Sequence, residues 1–176
     1  MMENNSALDL ECRKRIFDFV SGHPGVHFRE LQRQLELPVG ALDYHLKHLE
    51  KHEVLVSRAD GHYTRYYPRD RFDPASKAVL SFLRQDLPRG IILFLLQNPK
   101  STHGSILDKF TVTGATLSYH LKRMCQQGVL AVIKEGRESA FEVIEPDMVA
   151  DLLITYRRSF LDELVESFVA AWVPRR

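Results

Sequence analysis

Cysteine is scarce in this chain. Cys12 and Cys125 are the two cysteines in 176 residues, they stand far apart, and no CxxC pair occurs. A disulfide framework is thereby excluded, and a reducing cytoplasm is the expected setting. Long apolar runs are also missing. The longest, at 91–96, falls far short of a membrane span, and the polar residues 1–5 lack the apolar core of an export signal, so no membrane partner is expected. Nor does one sign of charge dominate: 24 Lys and Arg oppose 23 Asp and Glu, a formal net charge of +1. That balance gives no bulk attraction to a polyanion, so any nucleic-acid contact would need a local basic stripe. The signatures of catalysis are absent too. There is no Gly-rich phosphate loop, GxSxG, HExxH or close carboxylate pair, so neither an enzyme nor a cofactor is expected. What the composition does supply is 44% hydrophobic residues, enough to form packed cores and too many for a disordered chain.

The positive signal is an internal repeat. Tyr44-His45-Leu46-Lys47 recurs 75 residues later as Tyr119-His120-Leu121-Lys122. The same offset relates Val54-Leu55 to Val129-Leu130, Gly61 to Gly136, Leu42 to Leu117, Pro24 to Pro99, Ile16 to Ile91 and Phe19 to Phe94, without a gap over residues 13–66. One supersecondary unit therefore occurs twice.

Within the first copy, periodicity predicts helices over 10–21, 28–35 and 41–52. The third carries an inward stripe of Leu42, Leu46 and Leu49 at i, i+4 and i+7. Strands at 54–58 and 62–67 flank Asp60-Gly61, a hairpin signal. The second copy predicts helices at 87–97, 105–110 and 115–127, the last with Leu117, Leu121 and Met124 inward, followed by strands at 129–134 and 139–144. Residues 74–85 read as a connecting helix. Residues 148–173 read as one long helix that packs across both units or against a second chain. The expected fold is mainly α with small β-hairpin wings. Its divisions are a winged helix-turn-helix domain at 8–68, a linker with a connecting helix at 69–86, a second such domain at 87–145, and a C-terminal helix at 146–173 for packing or dimerisation.

Three helices followed by a hairpin suit duplex DNA, whose major groove admits one helix while a hairpin lies along the neighbouring backbone. The third helix must then show a polar face opposite its leucines. That face carries Asp43, Tyr44, Lys47, His48 and Lys51 in the first unit, and Ser118, Tyr119, Lys122, Arg123 and Gln126 in the second. Lysine and arginine neutralise phosphates; tyrosine, serine and histidine hydrogen-bond bases or phosphates.

The string from Val39 to Leu49, with Val54-Leu55-Val56, Arg58-Ala59-Asp60-Gly61 and Tyr66-Tyr67, resembles the core of ArsR/MarR-type winged-helix regulators. Two such units in one short chain resemble archaeal transcriptional regulators with two helix-turn-helix domains, over about residues 10–145. The resemblance implies base contacts from the turn and outward face of each third helix, and backbone contacts from each wing. Carried onto this chain, the candidate DNA-binding residues are Gly40, Asp43, Tyr44, Lys47, His48, Lys51, Arg58 and Arg65, with Thr113, Gly114, Ser118, Tyr119, Lys122, Arg123 and Arg137. The chain departs from the ArsR-like pattern at Val39, Gly40 and Asp43, where serine is usual; a carboxylate facing DNA must accept from cytosine or pair with a neighbouring lysine.

Simpler roles compete at several positions. His45 and His120 are expected to pack, and Cys12 and Cys125 to act as small buried hydrophobes. His48 and His52 share a helix face with Glu53 nearby, yet solvated histidines are the expected reading and no metal is assigned. Asp151, Asp162 and Glu163 read as ordinary solvated helix residues. The expected function is a cytoplasmic, sequence-specific, double-stranded-DNA-binding transcriptional regulator, with a homodimer formed through the C-terminal helix. The alternatives are a protein-interaction scaffold of tandem winged helices, or a metal- or ligand-responsive regulator. Which unit reads bases is left open by the sequence.

Overall fold

Leucines spaced at i, i+4 and i+7 bury one stripe of a helix, and each half of the chain is built around such a stripe. The structure, a computed structural model, describes residues 2–172. It divides into two compact units, one ending at Asp73 and the other beginning at Pro74.

In the first unit, α1 (Met2–Gly22) leads through β1 (Val26–His27) into α2 (Phe28–Leu35), α3 (Val39–Lys51), β2 (Leu55–Asp60) and β3 (Tyr63–Pro68). The strands form an antiparallel sheet in the order β1-β3-β2, with Ser57 opposite Tyr66 and Val26 on the other side of Tyr66. Leu42, Leu46 and Leu49 of α3 join Ile16, Val20 and Leu31 in one core. Each such side chain contributes roughly 1.5–3 kcal/mol by leaving water. The wing turns at Gly61, whose φ of 59° favours a residue without Cβ.

The second unit adds α4 (Pro74–Leu83) and then repeats the path: α5 (Asp86–Gln97), β4 (Ser101–Thr102), α6 (His103–Leu107), α7 (Gly114–Gln126), β5 (Leu130–Glu135) and β6 (Glu138–Val143). The helix bounds of α3 and α7 and the register of both hairpins are separated by the same 75 residues as the sequence repeat: Leu55 faces Pro68, and Leu130 faces Val143. The mainly α fold with small β-hairpin wings expected from the sequence is thus present. The short strands β1 and β4 were not predicted, because two extended residues carry no periodicity. The first helix begins at Met2 rather than residue 10, and α6 spans 103–107 rather than 105–110.

The predicted long C-terminal helix is two helices. α8 (Pro146–Phe160) and α9 (Glu163–Ala171) break at Leu161, whose φ is 50°. The break has a specific cause. The Asp162 carboxylate accepts from the Leu164 N–H, capping α9, and also accepts from the Arg89 guanidinium at 2.7 Å. Arg89 is buried and donates as well to the Leu83 carbonyl and to Asp86. Asp162 is therefore a structural anchor rather than a solvated flank residue. Both helices pack inside the second unit, α8 on α4 and α9 on α5.

Replacing Asp162 by alanine removes a cap and deprives buried Arg89 of a carboxylate. We expect a loss of about 2–4 kcal/mol in urea unfolding, against less than about 0.5 kcal/mol for exposed Glu163→Ala. Equal effects from the two substitutions would contradict this role.

Candidate nucleic-acid interface

The core stripe of α3 fixes which residues point outward. Tyr44 is 56% exposed and Val39 55% exposed, and Asp43 and Lys51 are also open to solvent. Lys47 is exposed and pairs with Asp43 across one helical turn at 2.7 Å. The carboxylate on this face is thus matched by the neighbouring lysine, at an exposed site where such a pair adds little stability. His48 is different. It is half-buried, accepts from the Arg13 guanidinium of α1, and lies against the His52 ring at 4.3 Å between centroids. Gly40 is exposed in the first turn, with open space where a Cβ would stand.

On the first wing, Arg58 is half-buried and faces Arg65 across the strand pair. Arg65 is a correction. The sequence pattern puts it on the wing surface, yet it is 3% exposed. Its guanidinium donates to Asp60 at 2.6 Å and to the Gly25 carbonyl, and it lies over the Tyr63 ring. It is buried together with its neighbours Tyr66 and Tyr67 on β3, and it ties the wing to the Gly25 carbonyl just ahead of β1, so it is not presented to a duplex. Beside this wing the sequence pattern did not point to a further cluster of side chains. His27, Arg29, His62 and Tyr63 line an open cavity of about 390 Å³ between α2 and the hairpin. His27 caps α2, its Nδ1 accepting from the Glu30 N–H, and stacks on Tyr63. Histidine is not a usual cap residue, so little in the sequence points to it.

The second unit presents the same backbone with other chemistry. Tyr119 is 57% exposed and Lys122 is exposed. Thr113 is the N-cap of α7, its hydroxyl accepting from the Thr116 N–H, and Gly114 follows half-buried against His103. Ser118 is hydrogen-bonded to His103 Nε2 at 3.0 Å. Arg123 is half-buried, its guanidinium 5.5 Å from the Phe82 ring centroid and 5.6 Å from that of Tyr119. It braces Tyr119 from behind. Arg137 is exposed just past the wing turn at Gly136. The structure therefore groups Asp43, Tyr44, Lys47 and Lys51 on one open face, and Ser118, Tyr119 and Lys122 on its counterpart. Thr113, Arg123, His48 and Arg58 are at least partly engaged in their own unit, and Arg65 is internal.

The histidine after each exposed tyrosine packs, as expected. His45 is buried, with Nε2 3.9 Å from Asp9, and its Nδ1 has no hydrogen-bond partner; the His120 Nδ1 is likewise buried and unpartnered. Burial lowers the pKa of His45, opposed by the Asp9 carboxylate, and lowers that of His120, helped by Arg123. His27 is lowered by burial and then by Arg65. Burial pushes both thiols up, which keeps Cys12 and Cys125 protonated and weakly nucleophilic. Among the described residues no group of three or more His, Cys, Asp or Glu could hold a metal ion, and no helix is long and apolar enough to cross a membrane.

The lowered histidines set the sign of a pH dependence. The unfolded chain binds protons at these sites near pH 6.5 while the folded chain resists them, so stability is complete above that value and declines below it. The urea midpoint should fall steadily from pH 7 to pH 5.5. A flat or rising midpoint over that interval would refute the assignment.

The chain is similar in part to known proteins. Residues 10–80 match the family model HTH_HVO_0163_N, an N-terminal HTH domain. An uncharacterized HTH-type transcriptional regulator of Methanocaldococcus jannaschii is 28% identical over 145 residues, which cover 82% of this chain. The match covers 36% of that relative, so the chain spans about a third of its length. Among solved structures, a protein of M. tuberculosis is 21% identical with a TM-score of 0.42, over 51% of this chain and 88% of that one. An ArsR family transcriptional regulator is 17% identical with a TM-score of 0.39, over 55% of this chain and 96% of the other.

Proposed function

We propose that the protein is a transcriptional regulator that binds double-stranded DNA in a sequence-specific manner, with α3 and α7 as recognition helices and the two hairpins as wings. The observation that carries this reading is the exposed Tyr-x-x-Lys pattern, Tyr44 with Lys47 and Tyr119 with Lys122, repeated opposite a buried leucine stripe. Surface tyrosine and lysine on a helix narrow enough for the major groove supply base or phosphate hydrogen bonds and charge neutralisation. The HTH family match over residues 10–80 supports the reading for the first unit.

The residues assigned to DNA contact are Asp43, Tyr44, Lys47 and Lys51 in the first unit and Ser118, Tyr119, Lys122 and Arg137 in the second. Gly40 admits close backbone approach at the start of α3, whereas Gly114 lets the start of α7 sit close to His103 and Leu107 of its own unit. Arg58, His48, Thr113 and Arg123 act as supports that set the faces. The assignment is tested by selecting random duplexes with the purified protein across a salt series. A recovered motif supports it, and no enrichment at any salt overturns it. The double variant Lys47→Ala with Lys122→Ala should weaken binding to all sequences alike and lower the salt slope by about one unit for each phosphate no longer neutralised. An unchanged slope would remove both lysines from the interface.

The corner between α8 and α9 carries Leu161, 89% exposed, and Leu164, 64% exposed. We place the homodimer contact expected of the C-terminal segment at this corner, with a second copy covering Leu161 and Leu164. Light scattering of Leu164→Glu should then show a smaller species than the wild type; equal masses would exclude the corner as the interface.

A further inference from the structure

The two units carry different chemistry in the groove between the third helix and the wing. In the second unit Leu121 and Cys125 of α7 face Val132 and Phe141 of the sheet across an open cavity of about 420 Å³, rimmed by Ser118 and Lys122. That volume lies within the range of small-molecule sites, roughly 300–1,000 Å³. Val132 is 49% exposed on β5, so its side chain is open to an occupant of the groove.

The repeat supplies an internal control. At the matched positions of the first unit stand Glu50 for Cys125, Ser57 for Val132, Tyr66 for Phe141 and Asp43 for Ser118. There the carboxylates dominate. Burial first, then Glu50 and Asp43, push the Tyr66 hydroxyl up to about 12. Asp43 also occupies the ammonium of Lys47 at 2.7 Å. In the second unit serine replaces that aspartate, its hydroxyl turns to His103, and no acidic partner of Lys122 occurs among the described residues. The groove therefore combines an apolar floor with a cation at its rim that no described carboxylate pairs.

We propose that this groove binds a small amphipathic carboxylate, its hydrocarbon body along Leu121, Cys125, Val132 and Phe141 and its carboxylate against Lys122. Charge selects the anion: the first unit's acidic version of the groove repels the ligand that the second unit attracts. Burial of the apolar lining by an occupant selects the hydrocarbon part. An occupant lies beside Ser118 and Lys122, the polar face assigned above to DNA, which makes this an effector site on a regulator. The site itself stands on the groove and not on the DNA assignment.

The test is calorimetry on the full chain without DNA, using decanoate and decanol as probes. Decanoate should bind saturably with one site per chain. Val132→Asp, at an exposed position that tolerates charge, should weaken it tenfold or more. Ser118→Asp restores the first unit's acidic neighbour to Lys122; it should weaken decanoate by about fivefold, the scale of a rim ion pair, and change decanol by less than twofold. Thermal melts establish that both variants are folded. Absence of saturable decanoate binding, insensitivity to Val132→Asp, or equal losses for decanoate and decanol in Ser118→Asp would each overturn the proposal.

Discussion

The rotation of each third helix about its own axis is the constraint from which the surface chemistry follows. Leu42, Leu46 and Leu49, like Leu117, Leu121 and Met124, leave water together only at one rotational setting. A helix advances about 100° per residue, so a slip of one position would drive Lys47 or Lys122 toward the core and expose leucine. Burying an unpaired ammonium costs far more than the polar face could recover elsewhere. The tyrosine and lysine on each outer face are therefore held in place by side chains on the opposite side. Neither face has to be stabilised by its own contacts, which leaves its residues free to vary with the task.

That freedom is visible in how the units differ on one backbone. The first wing is tied down by the buried pair of Arg65 and Asp60, while Ala140 occupies the place of Arg65 in the second. A buried ion pair and a well-packed apolar substitute can give similar stability, because Coulomb attraction and desolvation nearly cancel. The exchange preserves the strand register while removing the ion pair and the Gly25 and Tyr63 contacts that Arg65 makes. Asp43 and Ser118 illustrate the same principle on the surface. One neutralises its lysine, and the other leaves it exposed beside an apolar groove.

Much of this was legible in the sequence, for physical reasons. The leucine stripes, the hairpins and the 75-residue offset are periodic features, and periodicity survives without knowledge of tertiary contacts. Outward exposure of Tyr44 and Tyr119 followed from the same stripes. What was not legible depends on partners distant in sequence. Arg65 reads as a surface wing residue until Gly25 and Asp60 are brought to it. Asp162 reads as a helix-flank acid, because the apolar stripe of residues 149–168 continues through the break. Only Arg89, 73 residues away, reveals that the acid ends one helix and starts the next. The groove beside Lys122 is invisible to a periodic reading, since α6 and α7 supply most of its wall and Val132 and Phe141 of the sheet close it.

Under the proposed function, the repeated and unrepeated residues divide along a chemical line. Tyrosine and lysine recur at matched exposed positions, and both are suited to phosphate contacts that fix register without reading sequence. The residues that could discriminate bases do not recur: Asp43 faces outward in one unit, Ser118 in the other. An aspartate accepts hydrogen bonds only, whereas a serine hydroxyl donates and accepts. The two units therefore share the means of gripping a backbone and differ in what they can distinguish between its strands. Duplication accounts for the first property. Divergence at one position per helix is sufficient for the second, because the buried stripe keeps that position on the surface whatever residue occupies it.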